Sequence, residues 1–279
     1  MHDLIKTVLL TNSSQMGFNW IYNRAFLLGY SKDHEMLMQK PNSKHYHENK
    51  PSYNSYPNSK LGDNTLQGQI LKWLYDDWKE HESYTTTNYK NLLLKHFMPG
   101  GLYSGYVESF GNKLVLNALN EKFNLGEVLM DDDQLVGFIP LIVAIALNKP
   151  SNEALNLTYV LTNNPHYKNY FEAITLLLDK GKEKLVEAIS LMPREHQEKI
   201  KNAVNTNNAK DFIKDAHDLA CSINVAMPII FYLYNKHPKL IDALNENVIL
   251  GGASGDRALL LGLLYYPSDL PKEWYSYLK

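Results

Sequence analysis

The sequence contains a single cysteine, no long apolar run and no excess of charge of either sign. Because Cys221 is the only cysteine among 279 residues, an intrachain disulfide and a zinc cluster built from several cysteines are both excluded. The longest uncharged apolar run, residues 135–147, is too short to cross a bilayer. The formal net charge of −2 gives no basic surface that would indicate a nucleic-acid partner.

The first residues, Met1–Lys6, lack the basic and apolar regions of a signal peptide. The composition is 44% hydrophobic and 21% charged, which is ordinary for a soluble globular protein. We therefore expect a cytoplasmic protein without a membrane partner, and the sequence indicates no particular oligomeric state. No internal repeat or shift of composition marks a boundary, so residues 1–279 are predicted to form one domain.

Apolar residues recur at the spacing of an amphipathic helix through most of the chain, and no segment alternates convincingly with a period of two. This pattern predicts an all-α protein. Charged amphipathic helices are predicted over residues 182–192, 193–204 and 209–217. Pro140 is expected to kink or restart the helix that follows Leu135.

The most informative stretch is Asn247–Arg257, in which three of the five residues from 251 to 255 are glycines. The apolar run that follows predicts a buried helix. Glycines let the backbone turn tightly and approach a ligand, and the N–H groups at a helix start favour an anion. The same pattern suits a tight turn with Ser254 as N-cap of a core helix, and both interpretations stay open.

Residues 41–64 show no apolar periodicity and predict a structureless connection, which at this length is often a binding loop. The imidazoles of His45 and His47 would share one face if this segment were extended, but no nearby cysteine or further histidine completes a zinc site. Asp63 and Thr65 follow at the start of a predicted helix. They are placed either to cap it or to offer oxygen ligands to a cation.

Asp131, Asp132 and Asp133 are adjacent and precede another helical stripe. The helix dipole stabilises acids at this end, but their mutual repulsion is easier to tolerate beside a cation or ligand. A structural and a functional interpretation are therefore equally open. Cys221 has no partnered base in the sequence, so we predict a buried thiol and not a nucleophile.

Taken in order along the chain, these segments resemble the ADP-ribosylglycohydrolase family. Gly251, Gly252 and Arg257 match the family's C-terminal metal loop, and Gly62–Thr65 matches its turn at the start of a helix. The resemblance extends from about residue 4 to residue 278. Its other matches are Met16 and Trp20–Tyr22, the His-Tyr-His pattern at 45–47, Asp131–Asp132, Asn163–Asn164 and Pro271–Trp274.

The resemblance implies an orthogonal helical bundle that hydrolyses the glycosidic bond between ADP-ribose and a protein side chain or related acceptor, assisted by two Mg²⁺ ions. The residues that it places in the catalytic role are Asp63, Asp131 and Asp132. Those that it places against the substrate are His45, His47, Gly251, Gly252, Ser254 and Arg257. Those that it implies as metal ligands are Asp63 and Thr65, to which we add Asp256.

Two positions depart from the family pattern. Asn12 and Ala253 stand where the family has aspartates, and Asp256, three residues after Ala253, is placed to substitute in part. The resemblance therefore leaves three functions open. The chain is a Mg²⁺-dependent hydrolase of reduced or altered activity, a pseudoenzyme that binds ADP-ribose or a nucleotide, or a protein with a structural role.

Overall fold

The computed structural model describes residues 1–278, and α-helices dominate it. Within these residues there is no β-sheet, and only two isolated bridges pair extended residues. The α-helices are α1 Asp3–Ser14, α2 Arg24–Tyr30, α3 Ser43–Glu48, α4 Leu66–Trp78, α5 Thr86–Phe97, α6 Ser109–Phe123, α7 Ile139–Ala146, α8 Ser151–Thr158, α9 Tyr167–Lys180, α10 Leu185–Leu191, α11 Arg194–Val204, α12 Ile223–Lys236, α13 Leu240–Leu250 and α14 Ser254–Leu264.

Short 3₁₀ helices connect several of these elements, namely Leu135–Phe138, Lys182–Lys184, Ala209–Asp211, His217–Leu219 and Lys272–Tyr277. The buried apolar side chains of nearly all helices belong to one continuous cluster. The prediction of an all-α, single-domain protein is therefore confirmed. No helix within residues 1–278 has the length and apolarity to cross a bilayer.

Helices α1 and α14 pack against each other at the centre of the bundle. Their backbones approach closely because Gly262 has no side chain: a Cβ at this position would lie 2.5 Å from Thr11 Oγ1. The Thr11 hydroxyl donates to the Ala258 carbonyl at 2.8 Å and so joins the two helices. The residues of α14 are all buried, and each leucine removed from water contributes about 2 kcal/mol.

The expectation for Pro140 is confirmed, because the 3₁₀ turn at 135–138 ends and α7 restarts with this proline in its first turn. A proline is tolerated there since its missing N–H has no partner in the first turn. Helix α9 ends at Gly181, whose φ of +83° favours glycine.

Three local predictions are wrong. Residues 41–64 are not structureless, because they contain α3, where the Asn42 side chain accepts a bond from the Lys44 N–H at 3.0 Å. Residues 209–217 form no α-helix. Asp218 Oδ2 instead accepts the Lys214 N–H at 2.8 Å, and such side-chain bonds compete with helix formation. Ser254 is the first helical residue of α14 and not its N-cap.

Candidate functional site

Three segments of the predicted site meet at Asn12, which is completely buried in α1. Asn12 Nδ2 donates to Thr65 Oγ1 at 2.8 Å and to the Gly255 carbonyl at 2.9 Å. Asn12 Oδ1 accepts from the Thr65 N–H at 3.0 Å and from Asn64 Nδ2 at 3.1 Å. This Asn12 junction (Asn12, Asn64, Thr65 and Gly255) links α1 to the starts of α4 and α14.

The glycine loop before α14 is held by other parts of the chain. Gly251 and Gly252 have φ values of +84° and +67°, and a Cβ on Gly252 would lie 2.3 Å from the Leu219 carbonyl. The Gly252 N–H donates to the Ile21 carbonyl at 2.8 Å, and the Ala253 N–H donates to Leu219 at 3.1 Å. These N–H groups bind the protein itself and are not presented to an anion.

The buried Arg257 side chain holds the same loop by hydrogen bonds. Its Nε donates to Asn247 Oδ1 at 2.7 Å, its Nη2 to the Gly251 carbonyl, and its Nη1 to the Leu219 carbonyl at 3.4 Å. Burial lowers the pKa of this guanidinium to about 10, which leaves it charged at neutral pH. Its donors hold the loop in place, and Ser254 beside it is also fully buried.

The residues at the junction do not fit a Mg²⁺ ion. Mg²⁺ requires near-octahedral oxygen ligands, whereas an amide nitrogen of Asn12 already lies against Thr65 Oγ1 and the Gly255 carbonyl. Ala253 is buried and offers no side-chain oxygen. Asp63 lies half-buried in the preceding turn, where its Oδ2 accepts the Lys60 N–H at 2.7 Å.

A second set of polar side chains lies next to the Asn12 junction. Glu108, just before α6, Cys221, just before α12, and Asp256, in the first turn of α14, place a carboxylate oxygen, the sulfur and a carboxylate oxygen within 4.8 Å of one another. We call these three residues the acidic cluster. Gln67 of α4 bridges its two carboxyl groups, with Nε2 2.5 Å from Glu108 Oε1 and 3.3 Å from Asp256 Oδ2.

Burial opposes ionisation of all three side chains of the acidic cluster. Burial raises the pKa of both carboxyl groups, and the charge of Asp256 raises that of Glu108 further. Burial also raises the pKa of the Cys221 thiol, with smaller contributions from Asp256 and Glu108. Asp256 Oδ1 and Gln67 Oε1 are buried without a hydrogen-bond partner. A buried polar atom without a partner is rare and costly.

Asp131 and Asp132 lie against α6. Asp131 is exposed and pairs with Lys113, and Asp132 Oδ2 lies 2.8 Å from the same Lys113 Nζ. Asp132 also accepts from Ser109 Oγ, and its charge contributes to the raised pKa of Glu108. Asp132 therefore contacts Ser109, the residue that follows Glu108 in the chain, while Asp131 remains at the surface.

His45 and His47 do not share a face, because they lie two positions apart on the helix α3 and not on an extended strand. His45 stacks on Phe18 with ring centroids 5.8 Å apart, also contacts Phe26 and Tyr30, and burial lowers its pKa. His47 is exposed. His45 therefore packs in an aromatic group.

An aromatic surface, formed by Trp20, Tyr56 and Tyr106, lies beside the acidic cluster. Trp20 has a strained φ of +66°, and its backbone N–H donates to the Gly252 carbonyl at 2.8 Å. Its ring centroid lies 5.8 Å from that of Tyr56 and 5.6 Å from that of Tyr106, which is 48% exposed. Tyr56 Oη accepts from the N–H of Leu66, the residue before Gln67, at 3.0 Å, and Tyr106 lies two residues before Glu108. Burial, and then the charge of Glu108, raise the pKa of both tyrosines.

Glu108 and Gln67 were not predicted as site residues from the sequence, and Cys221, predicted as a buried thiol, is half-buried at this cluster. Glu108 carries only the signal of an acid before a helix, and Gln67 is an ordinary polar residue in a first turn. Nothing in their spacing connects them with Asp256, since Glu108 and Asp256 are 148 positions apart in the sequence. The chain matches no known family model and no curated protein. The resemblance to ADP-ribosylglycohydrolases thus stays a prediction.

Proposed function

We propose that this protein binds ADP-ribose or a related nucleotide and does not perform the Mg²⁺-dependent hydrolysis that its resemblance implies. The supporting observation is the amide of Asn12. Its nitrogen donates to Thr65 Oγ1 and to the Gly255 carbonyl, two oxygen atoms that a cation at this place would need as ligands. A neutral amide thereby replaces the charge of a metal in joining the three segments.

The aromatic surface and the acidic cluster are suited to two parts of such a ligand. The partly exposed ring of Tyr106, which packs edge-on against the buried Trp20, offers a face on which a purine base or a ribose stacks. Carboxyl groups accept hydrogen bonds from ribose hydroxyls, and Glu108 lies two residues after Tyr106. Opening of the cluster is required, because both carboxyl groups are buried.

One observation favours hydrolysis as a second candidate function. Glycosidases use two carboxyl groups, one protonated and one ionised. Glu108 and Asp256 form a close pair, and burial raises the pKa of both carboxyl groups, which favours the protonated form that a general acid needs. In this alternative the acid–base chemistry comes from the pair and not from Asp63.

The test is the melting temperature of the full chain with millimolar ADP-ribose, measured once with Mg²⁺ and once with a chelator. A ligand that binds only the folded state raises this temperature. We expect the same rise in both buffers. Tyr106→Ala should remove most of the rise, and Tyr159→Ala, which truncates a similarly exposed tyrosine at the end of α8, should not.

Absence of a shift and of a calorimetric signal in both buffers would refute the binding proposal and favour a structural role. A rise in melting temperature that requires Mg²⁺ would favour a metal-dependent hydrolase. Release of ADP-ribose from an ADP-ribosylated protein, abolished by Glu108→Gln, would support the second candidate.

A further inference from the structure

The acidic cluster combines ligand types that one metal ion can share. Its three side chains come from segments before α6, before α12 and within α14, and their ligand atoms lie within 4.8 Å of one another. In tetrahedral zinc sites, bonds of about 2.0 Å to oxygen and 2.3 Å to sulfur place the ligand atoms roughly 3.3–3.5 Å apart. The cluster therefore needs to contract by little more than about 1 Å.

Gln67 supplies an independent indication that the cluster holds a ligand. Its side chain is fully buried, and its Oε1 has no hydrogen-bond partner, while its Nε2 contacts Glu108 and Asp256. Rotation of the terminal amide by half a turn exchanges the two atoms. It would bring the unpartnered oxygen to the carboxyl pair as a fourth ligand, beside the unpartnered Oδ1 of Asp256.

The charge of the cluster suits a divalent cation. Two ionised carboxylates and a thiolate, all close together, are unfavourable without compensation. A divalent ion together with the buried guanidinium of Arg257, whose charge acts on Asp256, balances the three negative charges. Binding replaces the protons on the Cys221 thiol and on the carboxyl groups, which are released to solvent.

We infer that Glu108, Cys221 and Asp256 bind one transition-metal ion of the zinc class, with the Gln67 amide oxygen as the fourth ligand. The thiolate selects such an ion over Mg²⁺, which prefers oxygen ligands alone. Of the ligands expected from the sequence, only Asp256 takes part. The inference does not depend on ADP-ribose, because the metal alone is the ligand.

The experiment uses the full chain, freed of metal with a chelator and kept reduced, and titrates it with Co²⁺ as a spectroscopic substitute for Zn²⁺. Because Cys221 is the only cysteine, sulfur-to-cobalt charge-transfer absorption arises from this residue alone. We expect the absorption to saturate at one Co²⁺ per chain, with the intense visible bands of tetrahedral cobalt, and to disappear on addition of Zn²⁺.

Cys221→Ser should abolish the charge-transfer band. Glu108→Gln, Asp256→Asn and Gln67→Ala should each weaken Co²⁺ binding by about tenfold or more. The control is Glu172→Gln, which removes an exposed carboxylate on α9 and should change nothing.

Lack of a charge-transfer band in the wild type at saturating Co²⁺ would overturn the inference, whatever the variants do. So would a band of unchanged affinity in folded Glu108→Gln and Asp256→Asn, as judged by circular dichroism. If a variant does not fold, the wild-type spectrum still decides. No ADP-ribose is present, so failure here and failure of the proposed function are separate results.

Discussion

The Asn12 junction and the acidic cluster are neighbours, and most of their residues are buried, with Asn64 and Cys221 half-buried. The two groups differ in how fully their polar atoms are hydrogen-bonded. Each amide atom of Asn12 binds two partners. By contrast, Asp256 Oδ1 in the acidic cluster and Oε1 of the adjoining Gln67 have no partner. A completely bonded network fixes the positions of the segments that it joins. A network that is only partly bonded retains the capacity to take up a ligand.

The largest effect should follow from Arg257→Leu, because this side chain holds the loop at the junction and compensates the charge of Asp256. Its removal leaves Asn247 Oδ1 and the Gly251 carbonyl without their donor. We expect a loss of about 4 kcal/mol in the free energy of unfolding, measured by urea denaturation. Arg257→Lys, which keeps the charge but not the planar fork, should lose less. A loss below about 1 kcal/mol for Arg257→Leu would contradict this role.

Asn12→Ala tests the junction itself. The substitution removes the partners of Thr65 and Gly255 and leaves their buried polar groups unsatisfied. We expect the free energy of unfolding to fall by about 3 kcal/mol. The matched control is Asn112→Ala on the exposed face of α6, where the side chain makes one bond to a neighbouring carbonyl and the loss should stay below about 1 kcal/mol. Equal losses in the two variants would show that the junction is not a special feature.

The acidic cluster should make stability depend on pH, and the junction should not. Burial raises the pKa of Asp256 from 3.8 to about 7, so between these values the folded protein keeps a proton that the unfolded chain releases. The stabilising contribution is thus complete below the ordinary pKa and is lost as pH rises through about 7. Glu108 acts with the same sign.

In metal-free protein, we expect the free energy of unfolding to fall by on the order of 2 kcal/mol between about pH 5 and pH 8. Asp256→Asn should flatten this profile, whereas Glu172→Gln should leave it unchanged. If the free energy of unfolding instead rises over the same pH interval, the folded protein does not hold extra protons on Glu108 and Asp256, and the prediction is wrong.

The smallest effect should be that of Mg²⁺ on the wild type. We expect millimolar Mg²⁺ to shift the melting temperature by less than about 1 °C, because an amide takes the place of the cation. Ala253→Asp combined with Asn12→Asp should create a Mg²⁺-dependent rise by supplying two carboxylates. If the wild type binds Mg²⁺ tightly and Asp63→Ala abolishes this binding, the Asn12 junction also holds a cation and does not differ from the acidic cluster in this respect.

The helical fold was predictable because apolar periodicity is a local property of the chain. The helices and the restart at Pro140 were read from neighbouring residues, and so was the glycine turn before α14. Where polar side chains bonded to nearby backbone groups, as Asp218 and Asn42 do, the local pattern was ambiguous and the predictions for 209–217 and 41–64 were wrong.

The sequence alone was sufficient to predict that the chain is all-α and that Thr65 and Gly255 lie at helix starts. The bonds from Asn12 to both helix starts depend on how α4 and α14 pack against α1. The same packing brings Glu108 and Cys221 to Asp256. The physical reason is that periodicity specifies which face of each helix is buried. The polar atoms that meet inside the protein depend on how the helices pack, across separations of more than a hundred residues.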